Sequence, residues 1–144
     1  MKKLINSINN LFIKQKEDKL GPIQRKWVNY LKSHPKQQQR KSLGTVSHGI
    51  KKYCCLGIGG EIAGVCEWKN LTLYTVNKEN PYLTSTATLS KYVYEALGLN
   101  SPEGASKNES YKFSLAHLND NGTTWAQIAE ILEKYPEDYF THKV

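Results

Sequence analysis

The chain is sparing with cysteine and more so with arginine and methionine: three cysteines, the two arginines Arg25 and Arg40, and one methionine in 144 residues. Three is an odd number, and Cys54 and Cys55 are neighbours that cannot easily bridge each other. A disulfide framework is therefore not expected, and a reducing cytoplasm is. No stretch approaches 18 apolar residues, so no helix is expected to span a membrane. The first residues open with lysines like a secretory signal, but Asn6, Asn9 and Asn10 interrupt the apolar run and no small-residue cleavage site follows. His34, His48, His117 and His142 form no i, i+4 pair. A zinc site built from Cys54, Cys55, Cys66 and a histidine would need paired spacing of its ligands, which is missing. Acid/base pairs, a metal cluster and a Walker loop are missing too. Binding without turnover, with no cofactor and no metal, is the expected mode of action.

What is present is charge and one apolar centre. Lys+Arg 20 against Asp+Glu 13 leaves a net charge of +7, a surplus that suits phosphate-bearing partners or merely solvated lysines. The mean hydropathy is -0.59, yet residues 51 to 66, Lys-Lys-Tyr-Cys-Cys-Leu-Gly-Ile-Gly-Gly-Glu-Ile-Ala-Gly-Val-Cys, carry only Glu61 beyond their leading lysines. Apolar positions 55, 58, 62, 65 and 66 recur at threes and fours, which predicts a buried helix. Each interior glycine costs a helix about 1 kcal/mol relative to alanine. Gly57, Gly59, Gly60 and Gly64 therefore imply backbone packed very close to this helix, or an irregular first turn. Cys54 and Cys55 read as small buried hydrophobes rather than a nucleophile, because no His and carboxylate pattern accompanies them.

The rest of the chain reads as one domain, residues 1–144. Leu4, Ile5, Ile8, Leu11 and Phe12 form an amphipathic stripe within 1–20, docking on the core or on a second copy of the chain, since its polar face lacks a dense basic band. Pro22 opens a helix to about residue 33 with Ile23, Trp27, Val28, Tyr30 and Leu31 as its apolar side, and Pro35 stops it. Residues 36 to 43 are a polar loop or an edge strand. Gly44 to Gly49 reads as a turn and Ile50 to Tyr53 as a strand. Glu67 to Lys69 and Leu71 to Val76 read as a strand pair turning near Asn70. Asn77 to Pro81 is a loop, 84–90 is β-prone, and Ser90 caps a helix to Leu97 that Gly98 ends. A surface loop fills 100–110. Asn119-Asp120-Asn121-Gly122 reads as an Asx-rich turn rather than a calcium loop, whose glycine would come later. Thr124 and Gln127 make a capping box for a helix that Pro136 ends, and 137–144 is a loose tail. The fold class is α+β: a small antiparallel sheet packed against the buried central helix, with flanking helices.

Tyr53 to Gly57 (Tyr-Cys-Cys-Leu-Gly), Leu118 to Gly122 (Leu-Asn-Asp-x-Gly), Trp125 with Ile128 and Ala129, Trp27 to Leu31, Ser33, and the pair Lys36 and Gln37 together resemble a widespread family of small phage-encoded proteins. The resemblance covers roughly residues 23 to 133. Members include sponge proteins of the anti-CBASS type, which sequester cyclic nucleotide immune signals and blunt anti-phage defence. It implies a strand for 36–43, homo-oligomers, the cytoplasm of an infected bacterium, and a cyclic nucleotide partner such as a cyclic dinucleotide held without cleavage. ADP-ribose-type Thoeris signals and a host defence protein are the alternative partners; a nucleic-acid polymer or a membrane is not expected.

Phosphate recognition needs cations or backbone N–H groups, and base recognition needs aromatic faces. Lys36, Gln37, Arg40, Lys51, Lys52 and Tyr53 share a neighbourhood with the central motif. Arg40 leads, because bidentate phosphate contact favours the guanidinium fork. The resemblance adds Asn119 and Asp120, as ligand contacts or as buried polar braces.

Overall fold

The computed structural model describes residues 17–76, 91–108 and 113–144. The expected N-terminal helix, the loop at 77–81, the β-prone run 84–90 and the Ser90 cap lie outside these residues. Helix α1, Pro22–Ser33, starts where Pro22 needs no donor and where Gly21 N donates to Gln24 Oε1 at 2.8 Å. Its buried stripe is Gln24, Trp27, Val28 and Leu31. Gln24 reads as polar in the sequence, yet its Nε2 donates to Leu97 O at 3.0 Å and His142 O at 2.9 Å, which satisfies the amide inside the core.

A 3₁₀ turn, Pro35–Gln37, follows, then a loop to residue 43. The strand expected at 36–43 is not there: Gln38 alone pairs with Tyr53, in an isolated parallel bridge. Strands β1 (Gly44–Ser47) and β2 (Ile50–Tyr53) form a hairpin instead of the expected turn at 44–49. His48 and Gly49, with φ of 50° and 76°, are its two turn residues, the pattern of a tight turn matched to strand twist. Strands β3 (Cys66–Lys69) and β4 (Thr72–Thr75) form the second hairpin through Asn70, and the antiparallel sheet runs β2-β1-β4-β3.

Between the hairpins lies helix α2, Cys55–Ile62, the predicted centre. It is shorter than its periodicity suggests. Gly64 adopts φ 77°, so Val65 lies beyond the helix and Cys66 opens β3. The glycines do bring backbone close. A Cβ on Gly57 would lie 1.9 Å from Leu43 O, and one on Gly59 would meet Trp27 and Leu97 at 2.9 Å. Trp27 Nε1 donates to Cys55 O at 2.8 Å, tying α1 to the first turn of α2.

Helices α3 (Lys91–Ala96), α4 (Leu115–Asp120), α5 (Trp125–Lys134) and α6 (Pro136–Tyr139) complete an α+β domain. The capping box on α5 forms, with Gln127 N on Thr124 Oγ1 at 3.2 Å and Thr124 N on Gln127 Oε1 at 3.0 Å. Asn119 and Asp120 end a helix rather than start a turn; α5 stops before Pro136 as expected, and Pro136 opens a further helix. The tail 137–144 is docked, not loose: Tyr139 and Phe140 are buried, Leu99 pairs with Phe140, and Val144 O accepts from Ile23 N at 3.0 Å and Gln24 N at 3.2 Å. Among the described residues no helix is long and apolar enough to cross a membrane.

Candidate functional site

The loop 38–43 runs along the free side of β2 and is held at several points. Gln39 N donates to Tyr53 O at 2.7 Å, and Cys54 N donates to Leu43 O at 3.0 Å. Gln38 Nε2 donates to Thr123 O at 2.8 Å and Asn119 Oδ1 at 3.1 Å, while its Oε1 accepts from Trp125 N at 3.0 Å. Gln39 Oε1 accepts from Thr45 Oγ1 at 2.6 Å. Lys41 sits at φ 72°, a left-handed conformation that side chains disfavour, and Asp120 Oδ1 captures its N–H at 2.7 Å. So held, the loop presents Arg40 to solvent.

Pro35, Gln38, Gln39, Arg40, Asn119 and Gly122 line a cleft of about 250 Å³ here. Gly122, at φ 96°, lets the chain turn beneath Arg40, whose Nη2 would lie 3.6 Å from a Cβ there. Among the described residues no acceptor pairs with the Arg40 side chain. Arg25 is the contrast: it bonds Asp18 at 2.7 Å and Glu133 at 2.8 Å, and its hydrogen bond lowers the Asp18 carboxyl to about 2. One arginine is tied into the fold, and the other has no side-chain partner among the described residues.

The other expected site residues scatter. Lys36 and Gln37 stand on the 3₁₀ turn beside the cleft, Gln37 accepting from Tyr30 OH at 2.5 Å. Lys51 Nζ lies 5.1 Å from the Trp68 ring centre, on the sheet face that Tyr53 shares. Lys52, one residue on, points to the opposite face. Tyr53 is 4% exposed, edge-on to Trp68 at 5.5 Å, and burial above all pushes its hydroxyl pKa up. It offers no free face for a base, which corrects its expected stacking role. Asn119 is 1% exposed, and its Oδ1 accepts from Cys55 N at 3.1 Å, Gln38 Nε2 at 3.1 Å and Trp125 Nε1 at 3.2 Å. Its Nδ2 donates to Gln39 O at 2.7 Å. Of the two readings of Asn119, this is the brace. Asp120 also acts on the fold, through Lys41. Gln38 was missed, because within a run of three glutamines only tertiary partners single it out.

The cysteines follow their buried reading. Cys54 Sγ accepts from Gly57 N at 3.3 Å, yet desolvation raises this thiol to about 11 and Cys66 to about 12, and pushes Cys55 well up. At pH 8 a disulfide reagent is expected to titrate no thiol in the folded protein and all three after denaturation. Prompt reaction of one thiol under native conditions would contradict this. No group of His, Cys, Asp and Glu among the described residues is arranged to hold a metal ion.

Comparison with curated proteins and with solved structures returns no match. The family model described as "Domain of unknown function (DUF8296)" matches residues 20–136, from the residue before Gly21 to the first residue of α6 and so across the whole Arg40 cleft, and the chain belongs to that family.

Proposed function

We propose that this chain binds and sequesters a phosphate-bearing nucleotide signal without cleaving it, with Arg40 as the anchor. The observation that carries this reading is a guanidinium with no partner among the described residues, set in a cleft on a loop immobilised by Gln38, Gln39 and Asp120. A loop whose backbone is already held loses little entropy when an anion arrives. The net charge of +7 draws anions toward it. The resemblance to phage sponge proteins gives the setting: a phage anti-defence protein in the host cytoplasm, holding a cyclic dinucleotide such as cyclic GMP–AMP, or an ADP-ribose-type signal in the alternative. A cleft of about 250 Å³ is below the usual size range of about 300 to 1,000 Å³ for ligand sites. It takes a phosphate and its sugar, and the rest of the ligand extends over neighbouring surface or a second copy of the chain.

The test is a thermal-shift screen against cyclic dinucleotides, cyclic trinucleotides and ADP-ribose derivatives. A ligand at 100 times its Kd adds about 2.7 kcal/mol, which raises the melting temperature by several degrees. The expected result is a selective shift, lost in Arg40→Ala, with intact ligand recovered after heat denaturation. No shift with any nucleotide overturns the reading. A second reading, an inhibitor that covers a host defence protein, draws on Ile50 and Leu71, which are 55% and 63% exposed near the two hairpin turns. It predicts that neither a nucleotide nor a nucleic-acid polymer binds.

A further inference from the structure

Resting on the Arg40 reading, we infer that the imidazole of His34 is the platform on which a base stacks, so that the ligand is a nucleoside phosphate rather than a bare phosphate or sugar phosphate. Helix α1 ends at Ser33, and His34 leaves it with φ -129° and ψ 51°. That departure lays the imidazole parallel on the Tyr30 ring, 3.8 Å between centres and 8° between planes. The ring is pinned at its edge as well, with Nδ1 2.8 Å from Ser33 Oγ and 3.2 Å from Tyr30 O. Tyr30 is fixed in turn through its hydroxyl on Gln37 Oε1 at 2.5 Å. One face of the imidazole is therefore covered by tyrosine, and its orientation is set before any ligand arrives. A half-buried aromatic ring held this way costs little to use as a stacking surface.

The surroundings match a base. Ser33, His34, Pro35, Lys36 and Gln37 line a second cleft, of about 430 Å³, whose exposed lining is mainly apolar. Pro35 lines this cleft and the Arg40 cleft alike, so the two are neighbours across one shared residue. Gln37 accepts from Tyr30 with its oxygen, and among the described residues its Nε2 has no acceptor, which leaves two donors for the edge of a base. Lys36 adds a cation to the second cleft. The base platform expected at Tyr53, which is buried, thus has a substitute at the end of α1. The pattern was present in the sequence as Tyr30 and His34, one helical turn apart.

ADP and inorganic pyrophosphate carry the same diphosphate and differ by the nucleoside. Stacking is worth about 1–3 kcal/mol per base, or about 5- to 150-fold in Kd. ADP is expected to bind at least about fivefold more tightly than pyrophosphate, and His34→Ala to close that gap while leaving pyrophosphate affinity unchanged. In the unmodified protein the ring protons of His34 and Tyr30 should move upfield with ADP and stay put with pyrophosphate, a readout that holds even if His34→Ala does not fold. Equal affinities for the two probes, or an ADP preference with no ring-proton shift, overturn the platform. Binding of both probes that survives Arg40→Ala overturns the anchor instead, and no binding of either overturns both.

Discussion

Replacing Gly57 by alanine is expected to unfold the domain at a temperature roughly 5–20 °C lower, although helix propensity alone argues the opposite sign. Alanine in a helix interior is favoured over glycine by about 1 kcal/mol. At Gly57 that preference is overwhelmed, because the added Cβ would lie 1.9 Å from Leu43 O and 2.7 Å from Leu43 C. These are backbone atoms of a residue 1% exposed, so no rotamer change relieves the overlap. Either α2 or the loop must retreat. Leu43 O also accepts from Cys54 N at 3.0 Å, and retreat breaks that bond inside the core. Overpacking costs about 1–3 kcal/mol, and an orphaned buried donor about 1–3 kcal/mol more. Less the helix preference, the net is about 1–5 kcal/mol, up to a large part of the about 5–15 kcal/mol that holds a domain together. Gly64→Ala is the companion variant. A Cβ there meets nothing within 4 Å, and only its φ of 77° opposes the change, so the loss is about 1 kcal/mol. Calorimetry on the two variants checks this, and a Gly57→Ala protein as stable as its parent would show that the close approach is not tight.

The same contact explains which parts of the architecture were legible. Glycines in an apolar helix are a local signal of close packing or of an irregular first turn, and at Gly57 and Gly59 the approach of Leu43 and Trp27 makes it the first. Pro22 and the Thr124–Gln127 box are equally local, and both helices start where they indicate. Strand β1 was not legible. Gly44-Thr45-Val46-Ser47 is a strand because Ile50–Tyr53 folds back on it through His48 and Gly49, and no residue of its own demands that. The polar run 36–43 fails in the other direction, since Pro35 starts a 3₁₀ turn and side-chain bonds from Gln38 and Gln39 take the place of a ladder. The tail was misread because its order comes from distant partners: Thr141 N reaches Gly98 O at 2.7 Å and Val144 reaches the start of α1. In the candidate site, Arg40 was legible by scarcity. Tyr53 was not, because a tyrosine beside lysines reads as exposed until Trp68 and Glu61 are seen packed around it.

The second large effect is expected at Asn119, where substitution by alanine should cost about 3–5 kcal/mol. The residue joins four segments. Its oxygen takes the N–H of Cys55 at the start of α2, the amide of Gln38 in the loop and the indole of Trp125 at the start of α5, while its nitrogen serves Gln39 O. Alanine leaves three donors facing a small void at a position 1% exposed, and each unsatisfied buried group costs about 1–3 kcal/mol. The costs do not sum fully, because Gln38 keeps its bond to Thr123 O and the loop can relax. Relaxation, however, has a direction. Gln38 and Gln39 lead directly into Arg40, so the loop that presents the guanidinium loosens with the brace. Asn119→Asp separates the two roles of the amide: it keeps an acceptor for the three donors and loses the donor to Gln39 O. It also sets a carboxylate oxygen against Gln39 O and near Asp120 Oδ1 at a buried position, so at neutral pH its stability is expected well below that of the parent. Urea unfolding of the three proteins checks both losses through the midpoints, with the slope unchanged if the denatured state is shared. Because the brace is buried and Arg40 is not, Arg40→Ala should leave the midpoint where it is. A stability loss there comparable to that of Asn119→Ala would mean that the guanidinium supports the fold, and the case for an open anion site would go with it.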